Sequence, residues 1–341
     1  MKNPSKIFAQ SPTRVDFAGG TIDIYPLYIF ENEGLTINAA IEIYNEVEIT
    51  RTSKPGISII SETTGEKIYV LSKEKLNPLG RLGFLARIVR FYLPQNEGFL
   101  EIKVKHQAPK GSGLGGSSSL LIALSFALNR LIGEKYSSEE IINIGANLEA
   151  QEIRIPTGKQ DYYAAVYGGI NAIWFRVDKN EVESLYNEEI IKNLESRIIL
   201  SFTGISRASA ITNWQMLKNY IDGKKETISN LKTIKSIAFE MRDALRGGDL
   251  KSFGKLLKKE WEARKKMAKN VTNAKIEKII KGAESLGAIG SKVCGAGAGG
   301  FMITFVPIEK KEIISSGIEK LGAKVVKFKI SKKGTEVFVN N

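Results

Sequence analysis

The segment Pro109-Lys110-Gly111-Ser112-Gly113-Leu114-Gly115-Gly116-Ser117-Ser118-Ser119 constrains the fold more than any other stretch of the chain. The alternation from Phe99 to Lys105 reads as a strand entering it, and the spacing from Ser118 to Ile132 reads as a helix leaving it. A glycine-rich turn between strand and helix brings several backbone N–H groups close to an oxyanion, and the helix N-terminus adds partial positive charge. Glycine permits positive φ and close backbone approach, while the serines add hydroxyls suited to phosphate or magnesium. A Walker A loop would end in Gly-Lys-Ser/Thr, which is absent. Gly111, Gly113 and Gly116 do satisfy G-x-G-x-x-G. However, two successive helices follow, where a dinucleotide-binding unit needs a second strand and an acidic residue about 20 positions on.

Two further runs share this character. Ser291-Lys292-Val293-Cys294-Gly295-Ala296-Gly297-Ala298-Gly299-Gly300-Phe301 precedes a strand, Phe301 to Val306, so its own G-x-G-x-x-G spacing lacks the required helix. A turn that merely packs two elements rarely needs so many small residues. The run reads as a second backbone surface against the same phosphates or the substrate. Near the start, Ser11-Pro12-Thr13-Arg14-Val15-Asp16-Phe17-Ala18-Gly19-Gly20-Thr21-Ile22-Asp23 places Arg14 and Asp23 around a Gly-Gly turn. Alone, it would read as a surface turn with incidental charges.

Length and composition narrow the classes. At ~150 residues per domain, 341 residues suggest two domains. One Cys and one His exclude an intramolecular disulfide and a Cys/His zinc site, and His106 alone could serve a Ser-His-Asp triad. Cys294 reads as a small packing residue without a nearby base. The apolar stretch Leu120 to Ile132 is broken by Asn129 and Arg130 and falls short of the ~20 residues that span a bilayer. Met1 to Phe17 holds no apolar run of signal-peptide length, so a soluble cytoplasmic protein is expected. The net charge of +13 fits either an acidic partner or a Lys/Glu-rich solvated surface. Lys255, Lys258, Lys259, Arg264, Lys265 and Lys266 cluster on one predicted helix, but Glu260 and Glu262 interleave and Trp261 is the only aromatic among them. Neither nucleic acid nor a membrane is expected as partner.

The first ~180 residues alternate strands, turns and a few helices, including a hairpin around Thr63-Thr64-Gly65-Glu66 and a helix start at Ser137-Ser138-Glu139-Glu140. Asp178 to Glu195 is polar and reads as the connection between halves. Ser206 to Leu286 is helical in about four segments, with Gly247-Gly248-Asp249 ending one helix and capping the next. Strand, helix and two more strands close the chain.

The three glycine runs, in this order and over nearly the whole chain, resemble the three motifs of the GHMP kinases (galactokinase, homoserine kinase, mevalonate kinase, phosphomevalonate kinase). Pro-x-x-x-Gly-Leu-Gly-Gly-Ser-Ser is the most specific of them. The resemblance implies an α+β, two-domain α/β fold. Residues 1–190 would form an ATP-binding N-terminal domain of the ribosomal-protein-S5 type, and residues 191–341 a ferredoxin-like C-terminal domain. Gly158-Lys159-Gln160-Asp161-Tyr162-Tyr163-Ala164-Ala165, Tyr167-Gly168-Gly169-Ile170-Asn171 and Phe202-Thr203-Gly204-Ile205-Ser206-Arg207-Ala208-Ser209 look like the subgroup that contains D-glycero-D-manno-heptose 7-phosphate kinase and borders the L-fucokinase domains. Lys159 stands where that subgroup carries Arg, which keeps charge but loses bidentate geometry.

By the same resemblance, Pro109, Lys110, Gly111, Ser112, Gly113, Leu114, Gly115, Gly116, Ser117 and Ser118 hold ATP. Ser117 and Glu149 bind Mg2+, with Glu152 as the alternative acid one turn on. Asp161 accepts or orients the proton of the attacking hydroxyl, and Arg14 favours its ionised form. Gly19, Gly20, Thr21 and Asp23 line the sugar pocket, while Lys159, Ser206 and Arg207 are candidates for an anionic group on the sugar. Gly297 and Gly299 border the substrate. The implied reaction moves the γ-phosphate of ATP to a hydroxyl, the anomeric one, of a sugar phosphate, in a monomer or homodimer. L-fucokinase, galactokinase and mevalonate-type kinase are the enzymatic alternatives. Galactokinases carry Arg-x-Asn-Leu-x-Gly-Glu-His in the first motif, whereas this chain has Arg14-Val15-Asp16-Phe17-Ala18-Gly19-Gly20-Thr21. A sensor without catalysis is disfavoured by retention of Ser117, Glu149 and Asp161.

Overall fold

Two long strands rich in β-branched and alternating residues organise the first half. They are β1 (Lys6–Ala18) and, after the short α1 (Leu27–Phe30), β2 (Gly34–Arg51). The structure is a computed structural model that describes residues 5–95, 97–109, 111–206 and 209–340. Next come β3 (Gly56–Ser61), β4 (Lys67–Val70), α2 (Gly83–Tyr92), β5 (Phe99–His106), α3 (Gly116–Leu131), α4 (Ser138–Ile153), α5 (Gln160–Tyr167), β6 (Ile170–Phe175) and β7 (Asn180–Ser184). The second half holds α6 (Glu188–Arg197), β8 (Ile198–Phe202), α7 (Ser209–Ile221), α8 (Lys225–Arg246), α9 (Leu250–Arg264), α10 (Ala274–Ser285), β9 (Gly290–Val293), β10 (Phe301–Phe305), α11 (Lys311–Lys320), β11 (Lys324–Val326) and β12 (Glu336–Asn340).

The 18 residues of β2 are enough to serve two neighbours on one side. Its Asn45–Arg51 half pairs β5 and its Gly34–Ala39 half pairs β6. The resulting sheet has eight strands, ordered β12-β1-β2-β5-β3-β4 with β6 and β7 branching from β2. Among the described residues, only the β3–β5 pair is parallel. α3 lies against β1 and β2 and is buried on nearly every face, which explains its apolar run. Among the described residues, no helix is long and apolar enough to cross a membrane.

The second sheet has four strands ordered β11-β8-β10-β9. Numbered within this half, that order is 4-1-3-2, and the intervening helices give a ferredoxin-like arrangement. The two sheets part near residue 190, but the chain does not stay divided there. β12 returns to pair β1 from Lys6↔Asn340 to Gln10↔Glu336.

Local chemistry explains the helix starts. Ser137 and Glu140 form a reciprocal capping box on α4, and Asp249 accepts from Ser252 N at 3.0 Å to cap α9. The polar stretch from Asp178 to Glu195 is more than a connection. It contains β7 and most of α6, which Asn187 caps and which buries Ile190, Ile191 and Leu194.

Candidate active site

The three glycine runs converge. Gly111, Gly113 and Gly115 take φ of 73°, 75° and 69°, a region open to glycine, and so curl the loop from β5 into α3. Gly115 is the N-cap of α3 and no side chain caps that helix, so its first N–H groups are available to an anion. Arg14 N donates to Leu114 O at 3.0 Å, which seats the first run on this loop. Phe301 N donates to Ser112 O at 2.7 Å, which seats the third. Gly297 packs on Val271 and Gly299 on Ile205, while Gly300 O accepts from Thr203 N at 3.0 Å. Ser112 N bonds Pro109 O at 3.1 Å and closes the base of the loop. Lys110 and Arg207 lie outside the described residues.

Asp161 stands in the first turn of α5, and its carboxylate lies against Gly115. A Cβ on that glycine would sit 2.9 Å from Asp161 Oδ2. Arg14 Nε donates to Asp161 Oδ1 at 2.7 Å, and Arg14 Nη1 donates to Gly113 O at 2.6 Å. One guanidinium thus ties the acid to the anion loop. Burial pushes the Asp161 carboxyl above its ordinary value, and Arg14 pulls against that rise. The Asp161 side chain keeps 20% exposure, against 6% for Arg14, so the acid is the member of the pair that faces solvent.

The loop from Gly19 to Asp23 lies beside this pair. Gly19 (φ 82°) gives its carbonyl to Thr36 Oγ1, and Asp23 Oδ2 accepts from Gln160 N at 3.0 Å. Burial raises the Asp23 carboxyl to about 6, opposed by the Gln160 N–H and reinforced by Asp161. Lys159 Nζ donates to Asn143 Oδ1 at 2.7 Å, on α4, and Ser206 is exposed just beyond β8.

Because the folded Asp23 binds its proton more tightly than the ordinary value of 3.8, its neutral form stabilises the fold at low pH. That stabilisation is complete below about pH 4 and is lost as pH rises through about 6. Two units at 1.36 kcal/mol each make the loss about 3 kcal/mol. Asp23→Asn keeps an acceptor for Gln160 N and removes the titration. Thermal melts from pH 4 to 8 should therefore show a flatter stability profile for the variant than for the wild type. Equal slopes would mean that Asp23 does not titrate there.

Glu149 is buried, and its partners are hydroxyls. Oε2 accepts from Ser118 Oγ at 2.9 Å and from Tyr162 OH. Burial raises its pKa, with Tyr162 and Ser118 opposing. A buried carboxylate held, among the described residues, only by hydroxyls is short of positive charge, which suits a divalent cation beside the Ser117 hydroxyl. Glu152 instead pairs with Arg87 at 3.2 Å, away from this cluster. Cys294 is buried with its thiol pushed up to about 12 by burial, as befits a packing residue.

The sequence reading missed a buried ion network. Asp16 Oδ2 binds Lys292 Nζ, and Gly295 N donates to Asp16 Oδ1 at 2.5 Å. Lys292 Nζ lies 3.3 Å from Glu260 Oε1. Arg264 Nε donates to the same oxygen at 2.8 Å, while its Nη2 and Nη1 reach Gly20 O at 2.9 Å and Thr21 Oγ1 at 3.1 Å. The basic cluster of α9 is therefore not one surface face, because Arg264 and Glu260 turn fully inward. A signal was present in sequence. Asp16 alternates with Arg14 on one strand face, between the apolar residues Val15, Phe17 and Ala18.

Residues 83–169 match the family described as GHMP kinases N terminal domain, and residues 241–325 match GHMP kinases C terminal. The chain belongs to the GHMP kinase family and is a phosphotransferase with an alcohol group as acceptor. It is 31% identical to D-glycero-alpha-D-manno-heptose 7-phosphate kinase of Campylobacter jejuni over 339 residues, 97% of this chain and 98% of that one. The crystal structure of a D-glycero-D-manno-heptose 1-phosphate kinase from Bacteroides thetaiotaomicron superposes with a TM-score of 0.79 at 26% identity, covering 98% of this chain and 99% of that chain. The galactokinase of Pyrococcus furiosus is 25% identical over 346 residues, 92% of this chain and 93% of that protein.

Proposed function

We propose that the protein is an ATP- and magnesium-dependent sugar-phosphate kinase that phosphorylates the anomeric hydroxyl of a seven-carbon sugar phosphate such as D-glycero-D-manno-heptose 7-phosphate. The observation that carries this reading is the Arg14–Asp161 pair locked onto Gly113 of the anion loop. Phosphoryl transfer asks for positioning and charge neutralisation more than for covalent chemistry. The N–H groups from Gly113 to Ser118 would hold the β- and γ-phosphates of ATP. Asp161, raised by burial, would orient the acceptor hydroxyl and take its proton, while Arg14 stabilises the developing alkoxide. Ser117 and Glu149 would hold magnesium, which supplies positive charge to the phosphates when bound.

The two heptose kinases place the existing phosphate of their substrates on different carbons, position 7 by one name and position 1 by the other. We follow the 7-phosphate assignment, since the relative that carries it is 31% identical over nearly the whole chain. Lys159 is held by Asn143, which leaves Ser206 and Arg207 as the sequence-based candidates for that distal phosphate. A distal anionic handle supplies binding energy without entering the chemistry. The test is a coupled ADP-release screen over sugars, sugar phosphates and mevalonate derivatives. Heptose 7-phosphate should give kcat/KM at least ~10-fold above the unphosphorylated heptose, since each ~1.4 kcal/mol of lost contact is worth that factor. Preference for a neutral sugar such as fucose would overturn the substrate assignment.

A further inference from the structure

Gln160 opens α5 between Lys159 and Asp161, and its backbone is fully used. Its N–H donates to Asp23 Oδ2 at 3.0 Å and its carbonyl accepts from Asn38 Nδ2 at 3.0 Å. The residue is therefore fixed between the two carboxylates of the pocket. Its side chain is only 6% exposed, yet Oε1 has no hydrogen-bond partner among the described residues. The amide lies against the Gly19–Asp23 loop. A Cβ on Gly20 would fall 3.0 Å from Gln160 Nε2. Arg264 and Asp16 are the charged neighbours on this side of Gly20, and both are already committed, Arg264 to Glu260, Gly20 and Thr21 and Asp16 Oδ2 to Lys292.

A buried amide oxygen left without a partner weakens a fold, and an apolar side chain of the same length would avoid that cost. Gln160 therefore makes poor sense as a packing residue and good sense as a group completed by ligand. A primary amide offers a donor and an acceptor side by side, and a hydroxyl is both at once. We infer that Gln160 is a specificity-determining contact that reads a hydroxyl of a polyol acceptor next to the one being phosphorylated. The inference rests on the sugar reading above. The Gln160 amide meets the acceptor from the Gly20 side and the Asp161 carboxylate from the Gly115 side, which sets the recognised hydroxyl near the reacting one. A site that hydrogen-bonds a substrate hydroxyl rejects the analogue lacking it, because its own polar group is then left unpaired.

The test compares wild type with Gln160→Met on the best acceptor of the screen and on its deoxy analogue at the carbon next to the reacting one. The variant should melt at or above the wild-type temperature, since it removes the unpartnered Oε1. Its KM for ATP should stay within about twofold, while kcat/KM for the parent acceptor should fall about 10- to 100-fold. Its preference for parent over deoxy acceptor should shrink by a similar factor. Unchanged discrimination overturns the inference and leaves the proposed function standing. A melting temperature lowered by several degrees also overturns it, because the amide would then be satisfied within the fold. A wild type that ignores every sugar and sugar phosphate but phosphorylates mevalonate derivatives overturns both.

Discussion

Asp161→Asn should bind ATP almost as tightly as the wild type and turn over at least ~10²-fold more slowly, the range that general-base catalysis supplies. The substitution changes no heavy-atom positions, so Arg14 keeps its bond to Gly113 O and the anion loop keeps its shape. Two things are lost. The amide cannot take a proton from the acceptor hydroxyl. Arg14, buried beside it, keeps an amide oxygen for Nε but loses the negative charge that balances its guanidinium. The guanidinium, now without its counter-charge, still favours an ionised acceptor, so some catalysis should persist. ATP affinity from calorimetry, set beside steady-state kcat, separates the two effects. An unchanged kcat would remove Asp161 from the chemistry, and a collapse of ATP binding would recast it as a support of the loop.

Much of the site was legible because glycine requirements are local. The positive φ angles at Gly111, Gly113 and Gly115 follow from a strand that must turn abruptly into a helix, and sequence announces such turns directly. The helix stop at Gly247-Gly248 and the cap at Asp249 were legible for the same reason. The four helices between β8 and β9 followed from periodicity. Contacts between remote segments were not legible. Arg264 meets Thr21 across 243 positions and Lys292 meets Asp16 across 276. The i, i+4 spacing of Glu260 and Arg264 is equally consistent with a solvated helix face, and only packing against the Gly20 loop decides that it points inward. Similarly, the return of β12 to β1 depends on pairing between the two ends of the described chain, which no local pattern encodes.

Lys292→Met should cost about 3–5 kcal/mol, the range for breaking a buried ion pair by removing one partner. Lys292, Asp16 and Glu260 all have side chains at 0% exposure, so no water compensates the charge left behind. With Lys292 and Arg264 present, Asp16 and Glu260 balance to neutrality. With Met in place of Lys292, one net negative charge remains in the interior. Burial alone would push Asp16 up, but Lys292, Arg14 and Arg264 together hold it well below the usual carboxylate range. Because that folded value lies below the ordinary 3.8, the network stabilises the protein above that pH and weakens only in stronger acid. Removing Lys292 moves the loss to milder pH, so the variant should melt on the order of 10 °C lower near neutrality and lose part of that deficit in acid. Adding Asp16→Asn removes the uncompensated charge. The double variant should therefore be more stable than the sum of the single changes allows, by about 0.5–3 kcal/mol. Strict additivity in denaturant melts would show that Lys292 and Asp16 do not act as a unit. Glu260 also steers Arg264 onto Gly20 and Thr21, so weakening the network should raise KM for the acceptor more than KM for ATP. The same four charges thus hold the two sheets together and shape the loop proposed to receive the sugar.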